Sequence, residues 1–199
     1  MKKPAATRVP IHDVIANRWS GRAYDATRPV TREQMLALLE AARWAPSCYG
    51  DQPWRFVVWD KNTDAASWQQ AYECLVPGNQ GWARDAPMLL LVCADTLFNH
   101  NGQPNRLAQY DTGAAAVSLC LQAQALGLMA HQMGGFDPGK ARALAGVPDQ
   151  YTLMAMVTVG YAADMAQVSA EARERELAPR SRRELNELFF AGGWGKPVV

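Results

Sequence analysis

The sequence predicts an α+β fold. Three observations predict it. Strand-length apolar runs alternate with stretches of helical periodicity. Met88 to Cys93 is apolar at every position, at a length that fits a strand covered on both faces. A long Ala- and Leu-rich segment, from about Leu107 to Leu126, is apolar almost all round, so it belongs in a centre or a subunit interface.

The elements follow in order. Pro10 to Arg18 reads as a short helix, with Pro10 in its first turn and Ile11, Val14 and Ile15 as its apolar face. Thr31 and Gln34 form a capping box, opening a helix that carries Met35, Leu38, Leu39 and Ala42 and stops before Pro46. Phe56 to Trp59 is a short strand, and a helix runs from about Ala65 to Leu75. Pro77-Gly78-Asn79-Gln80-Gly81 reads as a loop. Asn99 to Asn105 is a polar loop before the long helix, which Gly127 ends as a C-cap glycine. Leu128 to Met133 is a strand. Asp137 caps a helix to Leu144 with Pro138 at its first position, and Leu153 to Gly160 is the last strand. From Ala162 onward the chain reads as charged and helical.

At 199 residues this suits a single domain, 1–199. Lys plus Arg (20) nearly balances Asp plus Glu (19), which argues against a general nucleic-acid or membrane-surface binder. The four cysteines form no CxxC, and Cys93 and Cys120 lie in apolar runs, a pattern that favours a reducing compartment. Lys2 and Lys3 precede no apolar stretch, so no signal peptide or membrane span is expected and the cytoplasm is the default. His12, His100 and His131 are scattered, and no metal site is expected.

Four clusters could carry chemistry. Arg18-Trp19-Ser20-Gly21-Arg22 offers two guanidiniums and a hydroxyl at a helix end, which suits a phosphate and also suits a solvated basic turn. Ala45 to Trp54 is an ordered, proline-bounded loop that lines a ligand or simply connects. Met133-Gly134-Gly135-Phe136-Asp137 lets backbone approach a ligand, or makes a tight strand-to-helix turn. Asn79 and Gln80 could hydrogen-bond a planar heterocycle, or serve the turn. There is no nucleophile elbow, no P-loop and no GxGxxG.

In this order, the pieces resemble the nitroreductase family of FMN-dependent oxidoreductases, from about Ile11 to Leu188. The resemblance rests on Arg-x-Ser-x-Arg, Ala-Pro-Ser-x-x-x-x-Gln-Pro-Trp, Asn-Gln-x-Trp followed by Ala-Pro, Asp111-Thr-Gly-Ala-Ala, Met-Gly-Gly-Phe-Asp and a C-terminal Arg-x-Arg. It implies a nitroreductase-like fold, with a central, mainly antiparallel sheet flanked by helices. It also implies a domain-intertwined homodimer in which about 162–199 forms an arm reaching the partner. The implied cofactor is FMN. Arg18, Trp19, Ser20 and Arg22 would hold it, joined by Arg180 or Arg182. Pro46, Ser47 and Cys48 would meet the flavin of the other subunit, and Gln52 is also implied as a cofactor-binding residue. Asn79 would face the pyrimidine edge, with Met133, Gly134 and Gly135 against the ring.

The resemblance further implies a ping-pong cycle in which NADH or NADPH gives hydride through FMN to a nitroaromatic, quinone or related acceptor. Chemistry carried by the cofactor needs no acid/base pair from the protein. Dehalogenation, dehydrogenation or flavin binding without turnover remain open. Three positions depart from the family pattern. Cys48-Tyr49-Gly50 stands where Ser-x-Asn is usual, Trp19 replaces a basic residue or His, and the segment between Asp95 and Arg106 is short.

Overall fold

The computed structural model describes residues 3–199, so Lys2 lies outside the described residues. Four strands form one sheet: β1 (Trp54–Asp60), β2 (Met88–Asp95), β3 (Met129–Met133) and β4 (Tyr151–Gly160), in the order β1-β2-β4-β3. Every neighbouring pair is antiparallel, with a register shift at Val92/Cys93. The helices are α1 (Asp13–Asn17), α2 (Arg32–Arg43), α3 (Ala65–Glu73), α4 (Pro77–Ala83), α5 (Ala108–Ala125), α6 (Pro138–Ala145), α7 (Ala170–Leu177) and α8 (Leu185–Leu188).

The expectation for Met88–Cys93 is met. All of β2 is buried, and its side chains divide by alternation. Met88, Leu90 and Val92 join a core with Leu38 and Ala42 of α2 and Ala115, Leu119 and Ala123 of α5. Leu89, Leu91 and Cys93 join a second core with Trp68 and Ala71 of α3 and Ala141 of α6. The sheet is therefore the middle layer of three. Its strands are antiparallel even though β2 is apolar on both faces, because helices cover both.

The capping signals are realised. Gln34 N–H donates to Thr31 Oγ1 and the Gln34 side chain accepts from Thr31 N–H. Asp137 accepts from Lys140 N–H with Pro138 behind it, and Gly127 sits at φ 72° past α5. Among the described residues no helix is long and apolar enough to cross a membrane.

Three expectations are corrected. The first helix starts at Asp13, because His12 Nδ1 takes the Val14 N–H and caps the helix there; Pro10 lies outside it, and Ile11 and Ile15 are exposed. Pro77–Gly81 is not a loop but the start of α4. Its two glycines disfavour helix, but Pro77 occupies the first position and the side chains of Tyr72 and Gln80 tie the turn to Gln80 and Leu75 carbonyls, so tertiary contacts override propensity. Beyond Ala162 only α7 and α8 are helical; the remainder is irregular.

Leu91 is fully buried at the centre of the sheet. Leu91→Ala is expected to lose about 2–5 kcal/mol of stability, read as a lower urea midpoint with an unchanged m-value.

Candidate functional site

The sequence from Arg18 to Arg22 lies along β3, which is an edge of the sheet. Its backbone is held from below by one half-buried and one buried group. His131, on β3, has Nδ1 3.0 Å from the Gly21 carbonyl. A carbonyl only accepts, so Nδ1 carries the proton. Burial, and then Arg22 and Arg18, lower the pKa of His131, so at neutral pH the ring is uncharged. Glu176, from α7, is buried and accepts from Arg22 N–H at 2.9 Å. Burial raises the Glu176 pKa, while the Arg22 backbone bond and Lys3 oppose that rise. A Cβ on Gly21 would fall 2.0 Å from Met129 Sδ and 3.1 Å from both Glu176 and Trp19, so this packing needs glycine.

The guanidiniums of Arg18 and Arg22 enter no ion pair among the described residues. Arg18 Nη1 reaches only Ser20 Oγ, at 3.4 Å. Arg180 donates to the carbonyls of Lys3, Ala16 and Arg18 of its own chain, which puts it behind the loop. Burial lowers the Arg180 pKa, and the like charges of Arg18 and Arg182 lower it further. The exposed Arg182 donates to the adjacent Ser181 carbonyl. Trp19 is half-buried, with Lys3 Nζ 4.4 Å from its ring. The result is a cationic cluster in which Arg18 and Arg22 have no ion-pair partner among the described residues, an arrangement that fits a phosphate.

Arg22 lies over the ring of Trp82 on α4, at 5.9 Å. Trp82 stacks on His131 at 4.5 Å. Through α4 the basic cluster is joined to Asn79 and the glycine turn after β3. Asn79 Nδ2 donates to the Gly135 carbonyl at 2.9 Å. That fixes the amide's orientation and leaves Oδ1 without a partner among the described residues, suited to an N–H on a ring edge. Val76 N–H donates to the same carbonyl. A Cβ on Gly135 would lie 2.6 Å from Asn79 Nδ2, so Gly135 is required for that contact. Among the described residues nothing accepts the N–H of Gly134 or Gly135. The Met133 side chain is buried in the second core, so only its backbone is available here.

The other loop is built separately. Cys48 N–H donates to Asp111 Oδ2 in the first turn of α5, and Gln52 N–H donates to Ser47 Oγ. Tyr49 and Gln52 take positive φ of 55° and 51°. Pro46 is exposed, and Ser47 and Cys48 are half-buried. Among the described residues no hydrogen bond or ion pair joins Pro46–Gln52 to Arg18–Arg22. The predicted residues thus form two groups, one on β3, α4 and the tail, the other at the start of α5. A cavity of about 750 Å³ between α2, β1 and α3 is lined by neither.

Sequence reasoning missed His131, Glu176, Trp82 and Asp111. Glu176 sits in a run of charges that reads as solvated, and His131 has no motif around it, so neither carried a signal. Asp111 opened a recognised motif, but its bond to Cys48 depends on the fold.

Glu176→Ala is expected to cost roughly 1–3 kcal/mol, because the part-buried Arg22 N–H loses its charged acceptor. The raised pKa gives a sign. Glu176 contributes most below the unfolded glutamate pKa, and that contribution is lost as pH rises through its higher folded value. Glu176→Gln therefore flattens the acid-to-neutral dependence of Tm. A pH profile parallel to that of the native protein would contradict the assignment.

The chain can be compared with known proteins. It is 31% identical over 166 residues to an NADH dehydrogenase of Thermus thermophilus, covering 68% of this chain and 79% of the relative. A solved oxidoreductase containing FMN superposes with TM-score 0.87 at 35% identity, covering 96% of both chains. An FMN-dependent nitroreductase of Clostridium difficile superposes with TM-score 0.62 at 26% identity, covering 74% of this chain and 84% of that one. The model of the nitroreductase family matches residues 15–161, most of the chain and all of the candidate site except its tail residues, and the protein belongs to that family.

Proposed function

We propose that this protein is an FMN-dependent NAD(P)H oxidoreductase, working as a homodimer, that passes hydride to a nitroaromatic, quinone or related acceptor in a ping-pong cycle. The observation that carries the reading is the pair of guanidiniums, Arg18 and Arg22, with no ion-pair partner among the described residues, set beside an Asn79–Gly135 cradle in a chain of the nitroreductase family.

Bound FMN supplies the hydride chemistry, and the protein binds, orients and shields. Arg18, Ser20 and Arg22 hold the phosphate. Arg180 fixes the loop by its backbone carbonyls, and Arg182 adds charge nearby. Asn79 Oδ1 would accept from the pyrimidine edge, and Gly134 and Gly135 would lie against the ring. Neutral His131 adds no charge to the site.

The separation of the Pro46–Gln52 loop from the Arg18 loop favours a site shared between subunits, with Pro46, Ser47, Cys48 and Gln52 on the partner's flavin. Exposed apolar residues support a dimer. Tyr110 and Val117 stand out from α5, and Leu188, Phe189 and Trp194 from the tail, with Trp194 93% exposed. We assign 162–199 as an arm whose first half docks on its own chain through Glu176 and Arg180 and whose second half reaches the partner.

Arg18→Ala is expected to lose on the order of 1.5–3 kcal/mol of FMN affinity, about ten- to a hundredfold in Kd by fluorescence titration. Unchanged affinity removes Arg18 from the site. Truncation after Ser181 is expected to shift the chain from dimer to monomer on sizing chromatography with light scattering, and a dimer that persists contradicts the arm.

A further inference from the structure

The Arg18–Arg22 loop is backed by two segments from far apart in the chain. Lys3 Nζ donates to the Glu176 carbonyl at 2.7 Å and lies over the Trp19 ring. Arg180 Nη1 donates to the carbonyls of Lys3 at 2.6 Å and Ala16 at 3.1 Å, and its Nη2 donates to that of Arg18 at 3.1 Å. One guanidinium thus joins the segment before α1, the end of α1 and the first residue of the loop. Glu176 meets the other end of the loop. It accepts from Arg22 N–H at 2.9 Å, and its Oε2 would stand 3.1 Å from a Cβ at Gly21. The stretch from Glu176 to Arg180 therefore grips the loop at both of its ends.

That grip works against two opposing effects. Glu176 is 3% exposed, and its bond is to a backbone N–H rather than to a cation. Taking a carboxyl group out of water in that way is unfavourable. Arg180 also brings another guanidinium to a loop that already carries two. The charges of Arg18 and Arg182 both press on Arg180 and lower its pKa. Arg182 donates only to the adjacent Ser181 carbonyl, and Arg18 and Arg22 enter no ion pair among the described residues. The hydrogen bonds that favour docking replace bonds to water, so each contributes only a fraction of its gross strength. A dianion held by Arg18 and Arg22 relieves the repulsion without breaking any of them, because Arg180 is committed to carbonyls.

We infer that Glu176–Arg182 is an anion-closed latch: docking of this segment and binding of a phosphate at Arg18 and Arg22 form one linked equilibrium, with Arg180 as the positioning residue. The inference rests on the flavin reading above only for what carries the phosphate. Arg180 acts on the phosphate through the backbone of Ala16 and Arg18. Linkage is reciprocal, so whatever docking adds to phosphate affinity, phosphate adds to docking. A flavin that bears the phosphate closes the latch, and riboflavin does not. The part of the tail beyond Arg182 follows the latch directly, so phosphate binding also fixes where that part leaves its own subunit.

The test is hydrogen–deuterium exchange of the flavin-free full-length protein, read by mass spectrometry on peptides covering 170–182. The protein is measured alone, with saturating inorganic phosphate, with FMN and with riboflavin. Phosphate and FMN are expected to slow exchange in 170–182 by about 5- to 150-fold, the usual range of coupling between sites, with riboflavin without effect. No slowing by phosphate, an equal slowing by riboflavin, or an equal slowing in 88–95 (which marks global stabilisation) overturns the latch. Arg180→Ala is expected to abolish the phosphate effect and to weaken FMN about tenfold while leaving riboflavin affinity unchanged. Arg182→Ala removes an exposed side chain and keeps the fold. It is expected to slow exchange in 170–182 without phosphate and to shrink the gain with it; a gain of native size refutes the charge repulsion on which the latch depends. Inorganic phosphate separates the two readings. Slowing by phosphate in a protein that binds no FMN refutes the flavin assignment and upholds the latch. FMN bound without slowing does the reverse.

Discussion

The strand from Met88 to Asp95 cannot touch water on either face, and the architecture follows from that constraint. Alternation sends Met88, Leu90 and Val92 one way and Leu89, Leu91 and Cys93 the other. Each set needs its own helical cover, so α2 and α5 take one side and α3 and α6 the other. β1 and β4 flank β2 and complete its hydrogen bonding, which leaves β3 at an edge of the sheet. An edge strand has an unpaired side that must be managed. Here the Arg18–Arg22 segment lies along it, and the strand's own His131 holds the Gly21 carbonyl. The position of the candidate site is thus a consequence of how the centre is buried.

Electrostatics at that edge are divided between what is neutralised and what is left open. Glu176 is the one buried carboxylate beside the cluster, and a backbone N–H occupies it rather than a guanidinium. Arg180 is satisfied by carbonyls. His131 is held neutral by burial. The charges on Arg18 and Arg22 remain unmatched. A site that cancelled them internally would have no attraction left for a dianionic phosphate. The tail contributes to the same balance, because Glu176 and Arg180 both come from it.

Much of the fold was readable because the signals concerned are local. Capping at Thr31 and Asp137, the glycine after α5 and the doubly apolar run all depend on a residue and its near neighbours. The misreadings have the opposite cause. Pro77–Gly81 looks like a loop because two glycines weaken helix, but Tyr72 and Gln80 close the turn through side chains. Pro10 looks like a helix start, but His12 caps two residues later. Of the candidate site, the Arg-x-Ser-x-Arg segment and the Gly-Gly turn carried recognisable spacing. Their supports did not. Glu176 is 154 positions from Arg22, and no periodicity connects them.

By itself, the amino-acid sequence determined the α+β class, the strand buried on both faces, the helix caps and the residue types able to bind a phosphate and a planar ring. Those follow from hydrophobic periodicity and backbone chemistry, which act over a few residues. Only the tertiary structure decided that Arg22 lies over Trp82, that Asn79 is oriented by Gly135, that Cys48 is held by Asp111, and that the rings of Tyr49, Phe98 and His100 cluster. Each of these contacts joins segments distant in sequence. Their geometry exists only once the sheet and its two helical layers have fixed where the loops begin and end.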